Sequence, residues 1–265
     1  MRRSGKRRVF LMSVRQLLFS PFLYVSIVIV FILCVTSAKE TIFDITIPRI
    51  DLAYVMDLFM DLSLFQQLVI LTAAIPTAAS FCNDWCCQFI RPVVVRSGVK
   101  RYALSKVLVC ALSSFLIVLI GMTLFFVFMG FFLPVAHSDP LNPPVPPYGT
   151  LLEGPAPFLY LLCVGSLFAL SASLWTVVGL AVSARLPNKF VAICTPLIAS
   201  YLLQELTKSL PPQFNLYYLS RARNILGQGA GISFLYSAFV FLALIGLAGY
   251  FFYRTVQRRV QNELV

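Results

Sequence analysis

Six long apolar stretches alternate with short charged loops along this chain of 265 residues. Each stretch is continuously apolar, and its length approaches the roughly 20 residues that a helix needs to cross the hydrocarbon core of a bilayer. Strands of a membrane barrel would instead alternate apolar and polar residues over about ten positions. We therefore predict an all-α membrane protein with a single transmembrane domain over residues 1–265. Its six predicted transmembrane helices are residues 21–38, 64–81, 107–133, 158–182, 190–204 and 232–253.

The charged residues sort onto two faces of this predicted bundle. Only 12% of the residues are charged, about half the fraction usual in soluble domains. Cytoplasmic loops of membrane proteins carry an excess of lysine and arginine, so we place both termini and the loops at residues 82–106 and 183–189 in the cytoplasm. This topology accounts for sixteen of the 21 basic residues and puts most acids outside. The net charge of +11 thus reflects a multi-pass protein of a plasma membrane, of bacterial type, and we expect no nucleic-acid partner.

The segments outside the spans carry patterns of their own. Residues 1–19 place apolar side chains at helical spacing, at Phe10, Val14, Leu17 and Leu18. This predicts an N-terminal amphipathic interfacial helix on anionic membrane lipid; a basic tail that only fixes topology is the alternative. The outer loop at residues 39–63 predicts a short amphipathic helix, and the proline-rich loop at 134–157 an extended connector. The loop at 205–231 mixes tyrosines and arginines with apolar residues, which predicts an outer re-entrant segment.

The seven cysteines form no recognisable disulfide or metal pattern. All lie in spans or on the cytoplasmic face of the predicted topology, away from an oxidising exterior. Cys82, Cys86 and Cys87 cluster, but no CxxC pair occurs, and the single histidine, His137, lies in an outer loop. We expect cysteines at the membrane interface rather than metal ligands, and no metal or cofactor bound by this chain.

Hydroxyl and amide side chains supply the polarity inside the spans, which contain almost no charge. Ion-coupled carriers usually keep ionisable groups near mid-membrane, so this composition disfavours them. Hydrogen bonding between helices accounts for any single one of these side chains. The second and fifth spans combine proline with several polar residues, and we predict that together they line a substrate path. Its predicted residues are Gln66, Gln67, Thr72, Thr77, Thr195, Ser200, Tyr201 and Gln204.

The loop after the second span reads FCNDWCCQFIRPVVVRSGVKRYALSK and leads directly into the third span. It resembles the first cytoplasmic loop of the type-2 ATP-binding-cassette (ABC) permeases, in which an acid, a short helix, a basic-glycine turn and a lysine precede the next span. We expect the short helix between Asp84 and Val95. Trp85, Cys86 and Cys87 depart from the family pattern, so the pattern does not fix the register of this helix. The matching positions are Asp84, Arg96-Ser97-Gly98, Arg101-Tyr102 and Lys106.

The resemblance implies the transmembrane subunit of an ATP-driven exporter. Such a loop docks onto a separate ATPase, a coupling role that would fall to Asp84, Arg91, Arg96, Gly98, Arg101, Tyr102 and Lys106; phospholipid contact is the alternative for the arginines. No Walker A sequence occurs here, so we expect no enzyme activity in this chain and ATP with Mg²⁺ on a P-loop ATPase partner present in two copies. A second permease copy, identical or related, is also implied. Hydroxyls and aromatics along the path suit an amphipathic peptide, drug or lipid.

Other functions remain open beside this one. An intramembrane enzyme would need a catalytic dyad, paired acids or metal-binding histidines, and the sequence shows none. A secondary carrier or channel would usually contain buried charge or an inverted repeat. A structural or immunity subunit that binds without transporting fits the same topology. The sequence distinguishes neither the substrate nor export from import.

Overall fold

Helices make up all the regular structure in the part of the chain that the computed structural model describes, which is residues 14–15, 17–42, 51–135, 151, 157–211, 213–223 and 229–263. Five helices are long and apolar enough to cross a membrane, and a bent pair raises the number to as many as six. The all-α prediction is therefore confirmed for the described residues, and five to six helices have the length and apolar composition of a membrane span. In chain order the helices are α1 (Pro21–Ile42), α2 (Leu52–Asp61), α3 (Ser63–Ala74), α4 (Ser80–Cys86), α5 (Ile90–Ser97), α6 (Val99–Gly130), α7 (Phe158–Arg185), α8 (Lys189–Thr207), α9 (Leu216–Ser220) and α10 (Ala230–Glu263).

The two ends of α6 define the two ends of the bundle. This helix has 32 residues, which makes it roughly 48 Å long at 1.5 Å per residue. Lys106 lies in its second turn, and we call this side of the bundle the Lys106 end. Beyond its last residue the carbonyl of Pro134 accepts a hydrogen bond from the backbone N–H of Leu52 (3.0 Å). The start of α2 therefore lies at the opposite side, which we call the Arg221 end after a residue described below.

Neighbouring contacts fix the directions of the other long helices. α1 packs on the second half of α6, where Val30 lies against Gly121 and Phe31 meets Phe128 (5.6 Å between ring centroids). α7 runs antiparallel to α6, since Gly165 faces Phe126 whereas the hydroxyl of Ser173 donates to the carbonyl of Ala111 (2.9 Å), nearer the start of α6. α10 ends at the Lys106 end, because a Cβ at Gly249 in its second half would lie 3.0 Å from the side chain of Val107 near the start of α6.

α7 is the central helix of the bundle. In its most apolar stretch 72% of the residues are buried, compared with 17% in the corresponding stretch of α10. Small residues let α8 approach closely. A Cβ at Gly179 would lie 2.7 Å from the carbonyl oxygen of Ala192 and 2.8 Å from the ring of Pro196. α8 continues through Pro196, although proline provides no N–H for the carbonyl four residues before it.

The predicted second span at residues 64–81 is not one continuous helix, and this corrects the sequence-based prediction. α3 ends at Ala74, turns occupy residues 75–79, and α4 begins at Ser80. Pro76 explains the break, because proline removes a helical hydrogen bond and disfavours helical geometry at the residue before it. At the other end of α3, Leu62 separates it from α2 at an angle of 83°. The connection from the Arg221 end to the Lys106 end is therefore segmented.

The predictions for the segments outside the six predicted spans are confirmed only in part. The short amphipathic helix predicted in the first outer loop is confirmed as α2, which buries Leu52, Val55, Met56, Phe59 and Met60. Of the predicted N-terminal helix, residues 14, 15, 17 and 18 are helical, and residues 1–13 lie outside the described part. Most of the proline-rich loop also lies outside it. In the loop at 205–231, α8 extends to Thr207 and α9 forms one further helical turn.

Candidate functional site

Asp84 joins α4 to α6 at the Lys106 end. Its carboxylate accepts a hydrogen bond from the hydroxyl of Tyr102 (2.7 Å) and lies 2.8 Å from the ammonium group of Lys106. Tyr102 and Lys106 are four residues apart and therefore share one face of α6. The side chains of Lys106 and Asp84 are only 15% and 17% exposed. An ion pair sheltered in this way is screened less than one at the surface, so it holds α4 firmly against α6.

Two short helices joined by a turn, residues 80–98, lie between α3 and α6 in the chain, and we call this segment the hairpin. Sequence reasoning predicted one short helix between Asp84 and Val95, and this is wrong: α4 and α5 form two helices, with a turn at residues 87–89 that includes Gln88 at φ 53°. Pro92 lies in the first turn of α5, where its missing N–H removes no helical bond. The hairpin ends at Gly98, whose φ of 81° is a conformation that glycine adopts without strain.

The hairpin has one buried and one exposed apolar face. Ile90 and Val94 pack into the bundle, whereas Phe89 is 49% and Val95 is 78% exposed. An aromatic and a branched side chain open to the surroundings, beside the basic start of α6, form a surface that a partner can cover. Trp85, one of the residues that depart from the family pattern, contacts α10. The guanidinium of Arg259 in α10 lies 5.0 Å from the centroid of its ring.

α10 provides a second support for the hairpin. Phe252 of α10 meets Phe81 of α4 (5.6 Å between ring centroids), and the guanidinium of Arg259 donates to the backbone carbonyl of Arg185 at the end of α7. Sequence reasoning treated Arg259 only as a topological charge. Its contacts with Trp85 and Arg185 tie α4, α7 and α10 together at the Lys106 end.

The structure brings only part of the predicted coupling set together. Asp84, Tyr102 and Lys106 form the contact described above. Gly98 and Arg101 lie beside an open groove of about 430 Å³ that also includes Lys100 and the Tyr253, Gln257 and Gln261 side of α10. Arg91 and Arg96 lie in α5. Nothing in these positions tests their predicted role at an ATPase.

The predicted substrate path contains one contact between the second and fifth spans. The hydroxyl of Ser200 in α8 donates to the side-chain carbonyl of Gln67 in α3 (2.5 Å), and we call this contact the α3–α8 seam. The neighbouring Gln66 is buried, donates to the backbone carbonyl of Met60, and accepts from Arg221 (3.4 Å). The seam thus reaches toward the Arg221 end.

The other predicted path residues do not converge on the seam. Thr72 and Thr195 donate to carbonyls of their own helices, those of Leu68 (2.7 Å) and Val191 (2.6 Å). Three further residues differ in position: Thr77 accepts from Ser113 of α6 (3.1 Å), Gln204 is buried, and Tyr201 is half exposed on the outside of α8. Hydrogen bonding within and between helices, which is the alternative to a substrate path, therefore accounts for Thr72, Thr77 and Thr195.

A second charged cluster lies at the Arg221 end, and sequence reasoning did not assemble it. Arg221 and Arg223 both donate to the carboxylate of Asp61, at 2.9 Å and 3.0 Å to the same oxygen, and Arg223 reaches the other oxygen at 3.2 Å. Asp57 lies one turn earlier in α2, at 3.9 Å from Arg223, and accepts from the hydroxyl of Tyr160 in α7 (3.3 Å). The cluster therefore joins α2 and α7 to the segment after α9.

Arg221 is the buried centre of this cluster, with a side chain only 2% exposed. Its guanidinium lies 3.6 Å from the ring centroid of Tyr217 and donates to that residue's hydroxyl. Burial lowers the pKa of Arg221, yet an arginine starts so far above neutral pH that it stays protonated. A signal was present in the sequence, because Asp57 and Asp61 are one helical turn apart and both arginines fall on the same predicted face.

The cysteine cluster that suggested a metal site is divided by the fold. Cys82 is buried in α4, whereas Cys86 and Cys87 are exposed at the turn of the hairpin. Within the described residues, no group of three or more histidines, cysteines or acids is arranged to hold a metal ion.

Comparison of the chain with protein-family models, with characterised proteins and with solved structures found no match. Any assignment of function therefore rests on the residues and geometry of this chain alone, and above all on the hairpin at the Lys106 end.

Proposed function

We propose that this chain is the membrane-spanning permease subunit of an ABC exporter, with its Lys106 end in the cytoplasm of a plasma membrane. The observation that carries the proposal is the helical hairpin. It is fastened to three long helices and still presents Phe89 and Val95 outward. A docking element needs both properties, because it must bind a partner and also transmit the partner's movement.

The contacts of the hairpin define how movement would pass into the membrane. Asp84 links α4 to α6 through Tyr102 and Lys106, and Arg259 links the same region to α7 and α10. An ATPase that closes around nucleotide and pushes on α5 would therefore displace the ends of these helices as a group. The segmented α3–α4 connection is the most compliant part of this arrangement, because it lacks continuous helical hydrogen bonds at residues 75–79.

The partners follow from the proposed role. ATP and Mg²⁺ would be bound by a separate P-loop ATPase in two copies, and a second permease, identical or related, would complete the substrate path. The transported molecule would be amphipathic, a peptide, drug or lipid, since the described spans provide hydroxyls, amides and aromatic rings rather than fixed charge.

Affinity purification of the full chain from its native membrane in mild detergent tests this proposal. We expect a P-loop ATPase to co-purify with the unmodified chain, and Val95→Asp to abolish its recovery by placing a charge in the docking surface. Leu210→Asp is the matched control, because Leu210 is also an exposed apolar residue but follows α8 at the other end. Recovery of no ATPase with the unmodified chain, or equal loss with both variants, would refute the proposal.

A further inference from the structure

The segment of residues 213–223, which we call the cap, differs from the rest of the fold in how well its polar groups are satisfied. It comprises α9 and the turns on either side of it. Three buried side-chain nitrogens have no hydrogen-bond partner in the described part of the chain: Asn215 Nδ2, Arg221 Nε and Arg223 Nε. All three belong to the cap. Buried polar groups are almost always paired in native structures, so their concentration in one eleven-residue segment distinguishes the cap from the surrounding helices.

The backbone of the cap is also strained at one position. Ala222, between the two arginines, has a φ of 55°, in the left-handed region where a side chain with a Cβ costs roughly 1–2 kcal/mol. Such conformations persist only where surrounding contacts enforce them. Here the backbone N–H of Arg223 donates to the carbonyl of Tyr218 (2.9 Å), the hydrogen bond that closes a left-handed turn at the end of a helix.

The position of the cap indicates what it covers. Leu219 is fully buried against the bundle, and the guanidinium of Arg221 reaches the side-chain carbonyl of Gln66 in α3 (3.4 Å). The next residue, Gln67, accepts the hydrogen bond of Ser200 that forms the α3–α8 seam. Ser200 itself is completely buried. The cap thus contacts the residue next to the polar seam, at the Arg221 end of the two helices.

We infer that the cap is a lid over the Arg221 end of the α3–α8 seam, and that the carboxylates of Asp57 and Asp61 act as its latch. Opening would release Arg221 from burial and expose to water the three nitrogens that have no partner among the described residues. These gains offset part of the lost ion pairs, so the cap opens at lower free energy than the helices on which it rests. The inference concerns this chain alone and does not depend on an ATPase partner.

Hydrogen exchange of the full-length protein in lipid nanodiscs tests the latch. Asp61→Asn weakens the acceptor shared by both arginines, and we expect the amides of residues 216–223 to exchange about tenfold faster, or more, while those of α7 keep their rate. Arg254→Gln is the matched control, because Arg254 makes a similar contact with Tyr250 but lies at the Lys106 end. It should leave exchange in the cap unchanged.

A second measurement tests what lies beneath the lid. Ser200→Cys is nearly isosteric and creates a thiol that should react with a maleimide only when the cap opens, with the labelled site located by mass spectrometry. We expect its labelling rate to rise in the Asp61→Asn background by the same factor as cap exchange. Unchanged cap exchange would overturn the latch, and equal acceleration in α7 would show global unfolding instead. Faster cap exchange without faster labelling would overturn the role of the cap as a lid on the seam.

Discussion

The Lys106 end and the Arg221 end of the bundle both depend on ion pairs, but they use them differently. At the Lys106 end a single carboxylate, Asp84, has a hydroxyl and an ammonium group as partners. At the Arg221 end two arginines share Asp61, yet each keeps a buried nitrogen that has no hydrogen-bond partner in the described part of the chain. More ion pairs therefore do not mean a firmer junction. What differs is the balance between the charges that are paired and the donors that burial leaves unsatisfied.

The largest effect is expected for Asp84→Ala. It leaves Lys106 sheltered without its counter-charge and the buried Tyr102 hydroxyl without an acceptor, which should lower the free energy of unfolding by about 2–4 kcal/mol. Unfolding in denaturant with the protein in detergent measures it, and Asp84→Asn, which retains an acceptor for Tyr102, should lose about half as much. A loss below about 1 kcal/mol would make this contact equivalent to a surface ion pair and remove the contrast between the two ends.

Arg221→Met should cost less than Asp84→Ala although it removes a more deeply buried charge. The substitution abolishes the contact with Asp61, but it also abolishes the penalty of a desolvated guanidinium with an unpaired nitrogen, and Arg223 still pairs with Asp61. We expect a loss of about 1–2 kcal/mol, measured by the same unfolding experiment. A loss equal to that of Asp84→Ala would show that both junctions are equally well satisfied.

Ala222→Gly should slightly stabilise the protein. Glycine adopts the observed φ of 55° without strain. The relief of this strain exceeds the entropic cost of ordering a more flexible residue, so we expect the free energy of unfolding to rise by about 0.5 kcal/mol. The matched control is Ala199→Gly inside α8, where the same change should destabilise by about 0.5–1 kcal/mol. If both variants lose stability alike, the turn at Ala222 is not strained.

Salt should have the smallest effect and should act on one end only. Raising the ionic strength from about 0.1 M to 1 M shortens the screening length from about 10 Å to 3 Å. The side chain of Asp61 is 48% exposed, whereas Asp84 and Lys106 are sheltered. Hydrogen exchange should therefore accelerate in residues 216–223 and remain constant in the first turns of α6; equal acceleration at both ends would contradict the comparison.

The sequence predicted the features that local pattern controls. Apolar length identified the long helices, and the amphipathic spacing of α2 was visible before its position was known. The family resemblance placed a turn at Gly98, and α6 begins directly after it, at Val99, which puts Tyr102 and Lys106 on one face of the helix. Asp84 lies close enough in sequence for its loop to bring it to that face.

The features that sequence reasoning missed depend on distant contacts. Arg221 and Asp61 are 160 residues apart. The one-turn spacing of Asp57 and Asp61 and the shared predicted face make an ion pair possible, but no local pattern indicates that the segment after α8 folds back onto α2. The break at residues 75–79 is different, because the sequence does contain a local signal for it. Pro76 lacks the N–H of a helical hydrogen bond, although the apolar run around it is continuous. Polar residues predicted to line a path, such as Thr72 and Thr195, were ambiguous because a hydroxyl in a helix can bind its own backbone as easily as a substrate.

The lengths of α6 and α10 have a mechanical consequence. With 32 and 34 residues, these helices are roughly 48 and 51 Å long at 1.5 Å per residue, whereas the hydrocarbon core of a bilayer is about 30 Å thick. Each is therefore a stiff rod that is longer than the hydrocarbon core by more than a third. A tilt of only about 10° about one tip moves the opposite tip by about 8 Å over such a length. Small rotations at one membrane surface thus become displacements as large as a side chain at the other.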